Sequence, residues 1–258
     1  MTDYFVRKNN SSFYIRKAQT FHIDYSDYSY NENAFYVYSA QPGGSLVLSV
    51  DADNSTSYPG TGTTWYDLAA PSNDLTLSYG GMYTTTYGSA MLFNGAESVY
   101  DNNYNGYLNF GTDSFSILVW TRIAGNLLSF HTILNIGTYE NGVMLRWNDI
   151  SSPDSLYIAG TAYDWNSTVN LPLNEWTQIA IVKSGTNVKL YVGDTLVVDG
   201  SAPASVNPSQ GLLLGYSAHN VSEFYTGYIS LLKVYRNAAL TASQISSSLT
   251  EMNNRYGL

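Results

Sequence analysis

The residues able to do chemistry are sparse in this 258-residue chain. Hydrolysis of a glycosidic bond with retention needs two carboxylates about 5–5.5 Å apart. A strand carrying Glu-x-Asp-x-x-Glu supplies them, because alternate side chains share a face. The six glutamates, Glu32, Glu97, Glu140, Glu175, Glu223 and Glu251, never fall in that spacing. No G-x-S-x-G nucleophile elbow, H-E-x-x-H zinc motif or phosphate-cradling loop occurs. His22, His131 and His219 are far apart in sequence, and His131 borders the apolar run 132–136, which reads as a structural position. With no cysteine, neither a disulfide nor a thiolate metal site can form. The expectation is a protein that is not an enzyme.

Binding chemistry is better represented. Tyr163-Asp164-Trp165-Asn166 sets two aromatic rings beside a carboxylate and an amide, the groups a saccharide site combines. Tyr104, within Asp101-Asn102-Asn103-Tyr104-Asn105-Gly106, is the second such place. A platform of this kind must be exposed, and the alternative is a Trp165 packed beneath a loop.

The elements that position these groups read as strands. Residues 175–199 form three apolar runs broken at Ser184-Gly185-Thr186 and Gly193-Asp194. In the middle run Val188, Leu190 and Val192 alternate with Lys189 and Tyr191, a period of two with one buried face. Gly193-Asp194 is a two-residue hairpin turn, so the stretch is an antiparallel meander. Further strands are expected at 45–50, 90–94, 98–100, 106–110, 114–121, 132–136, 142–147, 155–159, 211–215 and 227–236. In 114–121, Phe115, Ile117 and Val119 oppose Leu118 and Trp120, so that strand is expected to be covered on both faces. Thr241-Ala242-Ser243-Gln244 is a capping box, and Ile245, Leu249 and Met252 mark one face of a short helix.

Several of these motifs resemble one family. Trp176 followed by Ile179-Ala180-Ile181-Val182-Lys183, then Lys189-Leu190-Tyr191-Val192 and its tight turn, is similar to the core hairpin of laminin-G-like modules in the concanavalin A-like group. Ser57-Tyr58-Pro59-Gly60-Thr61-Gly62-Thr63-Thr64-Trp65-Tyr66-Asp67-Leu68 resembles the entry segment of such modules in tailed-phage virion proteins. Phe93-Asn94-Gly95, the run Phe115 to Trp120, the closing strand from Gly227 to Thr241 and the final Arg255-Tyr256-Gly257-Leu258 extend the likeness over 45–258. The resemblance implies an all-β, concanavalin A-like jelly-roll sandwich of two antiparallel sheets, with a β-rich N-terminal arm and a short C-terminal helix. It implies Trp65 and Leu68 pinning the entry loop, with Asp67 serving a turn. Relatives that bind Ca²⁺ do so at a loop rim through oxygen donors. The local candidates are Asp51 with Asp53, and Asp101 with Asn102, Asn103 and Asn105, all equally ordinary turn residues.

Residues 1–44 lie outside the resemblance. Tyr4-Phe5-Val6-Arg7-Lys8 recurs as Phe13-Tyr14-Ile15-Arg16-Lys17, which reads as a hairpin with basic ends. A tyrosine-rich stretch and the break Gln41-Pro42-Gly43-Gly44 follow. So short a segment buries little apolar surface alone. It is expected to act as an assembly anchor, through Tyr4, Phe5, Arg7, Lys8, Tyr14, Arg16 and Lys17; the alternative is that it adds strands to the chain's own domain. The arm holds four basic and four acidic residues, so the whole net charge of −9 falls on 45–258. A nucleic-acid partner, which needs a basic face, is excluded by that balance. No apolar run reaches the roughly 20 residues of a membrane span. No N-terminal stretch has the pattern of a signal peptide. The expected role is a phage virion structural protein, a capsid decoration or a tail or fibre component, made in the host cytoplasm and displayed on the particle. Its expected partners are other virion proteins, copies of itself and host-surface glycan. A free carbohydrate-binding lectin, Ca²⁺-dependent or not, is the alternative.

Overall fold

The computed structural model describes residues 4–8, 11–15, 38–39, 44–69, 73–124, 131–147, 154–165, 171–217 and 223–258. The chain divides into two units, 1–43 and 44–258. In the first, β1 (Tyr4–Lys8), β2 (Ser11–Ile15) and β3 (Tyr38–Ser39) form an antiparallel sheet in the order β2-β1-β3. Lys8 pairs with Ser11 and Tyr4 with Ile15, in keeping with the expected hairpin. Arg7 faces Ser12 in this register, and Arg16 and Lys17 lie outside the described residues.

The second unit is a two-sheet sandwich. Its first sheet runs β17 (Thr195–Ser201), β16 (Asn187–Val192), β15 (Trp176–Ser184), β10 (Phe115–Ile123), β19 (Thr226–Arg236), β8 (Ala90–Asn94) and β7 (Tyr83–Thr84), with β4 (Ser45–Asp51) also paired to β19. The second runs β14 (Thr161–Trp165), β13 (Asp154–Ile158), β12 (Val143–Trp147), β11 (His131–Ile136), β18 (Leu212–Leu214), β9 (Val99–Tyr100), β6 (Leu75–Leu77) and β5 (Thr64–Trp65). Helix α1 spans Ala242–Tyr256. The expected meander is present, and Val192 pairs with Thr195 across the two-residue turn.

Alternation decides what each face meets. Phe115, Ile117 and Val119 of β10 and Ile179 and Ile181 of β15 enter the core between the sheets. Leu118, Ala180 and Val182 face the other way and pack with Ile245 of α1. Trp120 and Leu231 meet Met252 beside them. The helix therefore seals the outer face of the first sheet, as the expected double coverage of β10 requires. Tyr191 is buried under the same cluster, so the middle strand of the meander is apolar on both faces rather than one. Thr241 caps α1, and both halves of its capping box are made. At 15 residues the helix is longer than the three apolar positions alone marked.

Two local expectations change. Residues 106–110 form a turn rather than a strand, closed by Asn109 N–H to the Gly106 carbonyl at 2.9 Å. Leu108 and Phe110 are fully buried all the same, because the loop drops them into the core. Leu68 is 39 % exposed and does not pin the entry loop; Trp65 and Tyr58 do, the latter donating to the Gly62 carbonyl at 2.9 Å. Asp67 accepts from the N–H groups of Ser49 and Ala69, each at 2.8 Å, and so serves a turn.

Candidate functional site

An open concavity of the sandwich lies beside α1, on the outer face of the first sheet. It has a volume of about 880 Å³, within the range of small-ligand sites. Its floor is built by register. Arg122 of β10 pairs with Trp176 of β15 on one side and with Tyr228 of β19 on the other. The three residues stand abreast on three neighbouring strands. The loop after β7 adds Tyr87, whose carbonyl accepts from the Trp176 indole N–H at 2.7 Å. The Arg122 guanidinium lies over the Tyr87 ring, 3.7 Å from its centroid, and 5.6 Å from that of Tyr228. Tyr87 meets Tyr228 edge-on at 5.2 Å and remains 45 % exposed.

The wall behind this row is aromatic and rigid. Trp176 stacks parallel to Trp120, with centroids 6.1 Å apart, and lies 4.7 Å from Tyr256 at the end of α1. A Cβ on Gly88 would lie 2.3 Å from the Tyr256 ring, and Gly88 has a φ of 97°, so only glycine lets the Tyr87 loop close on the helix. Burial pushes the Tyr256 hydroxyl pKa up to about 12. Gln178 ties the sheet to the helix by donating to the Ile245 carbonyl at 3.0 Å. The rim is polar. Asn174 takes a left-handed conformation, φ 61°, with its N–H on the Ile123 carbonyl at 2.7 Å, and that turn brings Glu175 to the groove.

The arrangement joins an exposed ring, an amide, a carboxylate and a guanidinium around one concavity. Ring faces stack on the apolar faces of sugars, and the polar groups meet hydroxyls. Arg122 makes no ion pair or hydrogen bond among the described residues, and Glu175 on the same rim is not within ion-pair distance of it.

The residues singled out in sequence lie elsewhere. Trp165 is 6 % exposed, belongs to the core between the sheets, and its indole N–H is buried without a partner among the described residues. Packing has taken the ring that a platform would need. Tyr163 packs against Gly200 and donates to the Ser201 carbonyl, so it clips β14 to the edge of the first sheet. Asp164 is exposed and accepts from the Ser155 hydroxyl at 2.7 Å, while Asn166 is outside the described residues. Tyr104 is half-buried, with its hydroxyl on the Pro208 carbonyl at 3.0 Å.

Neither oxygen cluster fits a calcium ion. Both carboxylate oxygens of Asp51 are held by Arg255, at 2.9 and 2.8 Å, and Oδ1 also accepts from the Asp53 N–H. A cation there would have to displace a guanidinium. Asp101 Oδ1 accepts from the Asn103 N–H at 2.9 Å and Asn105 Oδ1 from the Tyr107 N–H at 3.2 Å, the bonds of ordinary turns. Asn102 donates to Thr76 at 3.0 Å. Burial raises the Asp101 pKa, which disfavours the charged form a hard cation needs. Among the described residues no group of three acidic or histidine side chains could hold a metal. His131 has its Nδ1 2.6 Å from the Phe224 carbonyl and its ring beside Trp147, in keeping with a structural position.

The outer face of the second sheet carries a different assembly. Arg146 pairs with Glu223 at 3.1 Å and donates to the Tyr157 hydroxyl at 2.6 Å, while Thr132 donates to the second Glu223 oxygen at 3.1 Å. Glu223 is buried, and the network satisfies its own charges.

Two antiparallel sheets with one closing helix define a jelly-roll sandwich. A family model described as the concanavalin A-like lectin/glucanases superfamily, of laminin-G type, matches residues 94–246, and the chain belongs to that superfamily. No curated protein sequence matches it. Among solved structures it is similar to domain 4 of an extracellular arabinanase from Geobacillus stearothermophilus, in complex with arabinotriose: 19 % identity, TM-score 0.57, covering 79 % of this chain and 98 % of that one. It is similar to the binding domain of Paraclostridial mosquitocidal protein 1, at 15 % identity and TM-score 0.63, covering 81 % of this chain and 53 % of that one. Trypanosoma rangeli sialidase matches at 12 % identity and TM-score 0.62, over 83 % of this chain and 34 % of the sialidase. The chain thus spans about half of the toxin fragment and about a third of the sialidase. These likenesses establish the fold.

Proposed function

We propose that the chain is a non-catalytic, glycan-binding sandwich whose ligand lies in the groove beside α1, and that it serves on the surface of a tailed-phage particle. The observation that carries the glycan reading is the groove itself, with its 45 % exposed Tyr87, its Trp176 wall and its polar rim. The arabinanase domain of the same fold, solved with arabinotriose, supports it. Glu175 is the one side-chain carboxylate lining the groove among the described residues, and glycoside hydrolysis calls for two. The particle reading rests on the Ser57 to Leu68 entry segment, the Arg255-Tyr256-Gly257-Leu258 ending, and an N-terminal unit separate from the sandwich. In it, residues 1–44 attach the chain to other virion proteins or to its own copies, and the groove faces host-surface glycan.

Glycan-array binding of the full chain tests the first part, with saturable binding expected and its loss in Tyr87→Ala. Proteomics of purified particles tests the second. The chain is expected there, and a variant lacking residues 1–40 is expected to be missing. A chain that binds glycan but is absent from particles is a free lectin.

A further inference from the structure

We propose that the groove selects saccharides bearing a carboxylate and that Arg122 is the residue that recognises it. The inference rests on the saccharide reading of the groove and adds the charge of the ligand. The guanidinium carbon lies over the Tyr87 ring, 3.7 Å from its centroid, and Arg122 is flanked on neighbouring strands by Trp176 and Tyr228. A guanidinium over a ring keeps its N–H donors for other partners, and their fork matches the two oxygens of a carboxylate. The other arginines of the sandwich with an acid at hand use it: Arg146 with Glu223, Arg236 with Asp113 and Arg255 with Asp51. Arg122 has no such partner among the described residues although it lines the open groove described above. A chain whose sandwich carries the whole −9 would otherwise repel acidic glycans, so the one positive side chain of the groove has to carry that recognition.

The position also explains why the arginine is not a general anion sink. Tyr87 is 45 % exposed beside the guanidinium, so in this proposal the sugar ring and its carboxylate are read together. Glu175, which also lines the groove, offers an acceptor for hydroxyls and disfavours a ligand with a second negative charge near it.

The test titrates the full chain with hexuronate-bearing oligosaccharides and with the same oligosaccharides after their carboxyl groups are reduced to alcohols. The native chain is expected to prefer the acidic member of at least one pair by about tenfold or more, the scale of one charge-assisted bidentate contact. Arg122→Gln is expected to bring the two members to equal affinity. Arg122→Lys, which keeps the charge and loses the fork, is expected to fall between them. Thermal unfolding of each variant shows that the sandwich is intact. Equal native affinity for both members of every pair, or a preference that survives Arg122→Gln, overturns the role of Arg122 and leaves the groove reading standing. Absence of binding to acidic and neutral oligosaccharides alike overturns both.

Discussion

Two arginines rest on tyrosine rings on opposite outer faces of the sandwich. Arg146 lies 4.7 Å from the Tyr157 ring centroid, and Arg122 lies 3.7 Å from that of Tyr87. The first is paired with a buried glutamate; the second lines an open groove and makes no ion pair among the described residues. A buried ion pair is retained at a desolvation cost and is intolerant of losing one partner. A cation stacked at the surface gives up little if removed, and its donors stay available. The contrast separates a charge that holds the fold from one placed for a ligand.

The sharpest way to break the contrast is to remove one side of the buried pair. Glu223→Ala removes the carboxylate paired with Arg146 at 3.1 Å and is expected to cost about 3–5 kcal/mol, read as a lower denaturant midpoint. If the two faces were equivalent, Arg122→Gln would cost as much. Next in size is Ile245→Ala, a cavity under α1 worth about 2–5 kcal/mol, with glycan affinity falling as the helix wall of the groove loosens.

Much of this arrangement was legible in the residues, and the missing part has a physical reason. The meander, the doubly covered strand from Phe115 and the helix face of Ile245, Leu249 and Met252 all follow from periodicity, which a single chain displays. The groove does not. Trp176 stood out only as part of the hairpin motif, and nothing in the sequence singled out Arg122. Their meeting depends on the β10–β15 register, and Tyr87 joins them from a loop nearly ninety positions away from Trp176 with no local signal. Trp165 misled for the converse reason. Aromatic and amide neighbours look alike in sequence whether the ring stacks on a ligand or fills the core, and alternation along β14 turned it inward. Asp51 looked like a metal ligand because its partner, Arg255, lies 204 positions along the chain.

Alkaline titration sharpens the account of the helix wall. Burial pushes the pKa of Tyr256 up to about 12, and of Tyr235 likewise, from the ordinary value of 10.0. The folded state holds these protons more tightly than the unfolded one. Their contribution is therefore complete below pH 10.0 and is lost as pH rises towards about 12. Ultraviolet titration is expected to show late tyrosinate formation coinciding with the loss of α1, and Tyr256→Phe is expected to weaken that alkaline transition. The smallest effect is on the exposed side of the comparison. Arg122→Gln is expected to lower stability by only about 0.5–1 kcal/mol, the worth of a surface cation–π contact.

The most direct measurement of the central claim is a saturation titration of the full chain and its Tyr87→Ala variant with glycans that the native chain retains on an array. Native binding that saturates, together with a loss of about 1–3 kcal/mol of affinity on truncating Tyr87 and a cooperative thermal unfolding lowered only by the small worth of the cation–π contact, is the predicted result, on the scale of one aromatic contact in a binding site. Undiminished affinity in the Tyr87→Ala chain would contradict the placement of the site in this groove.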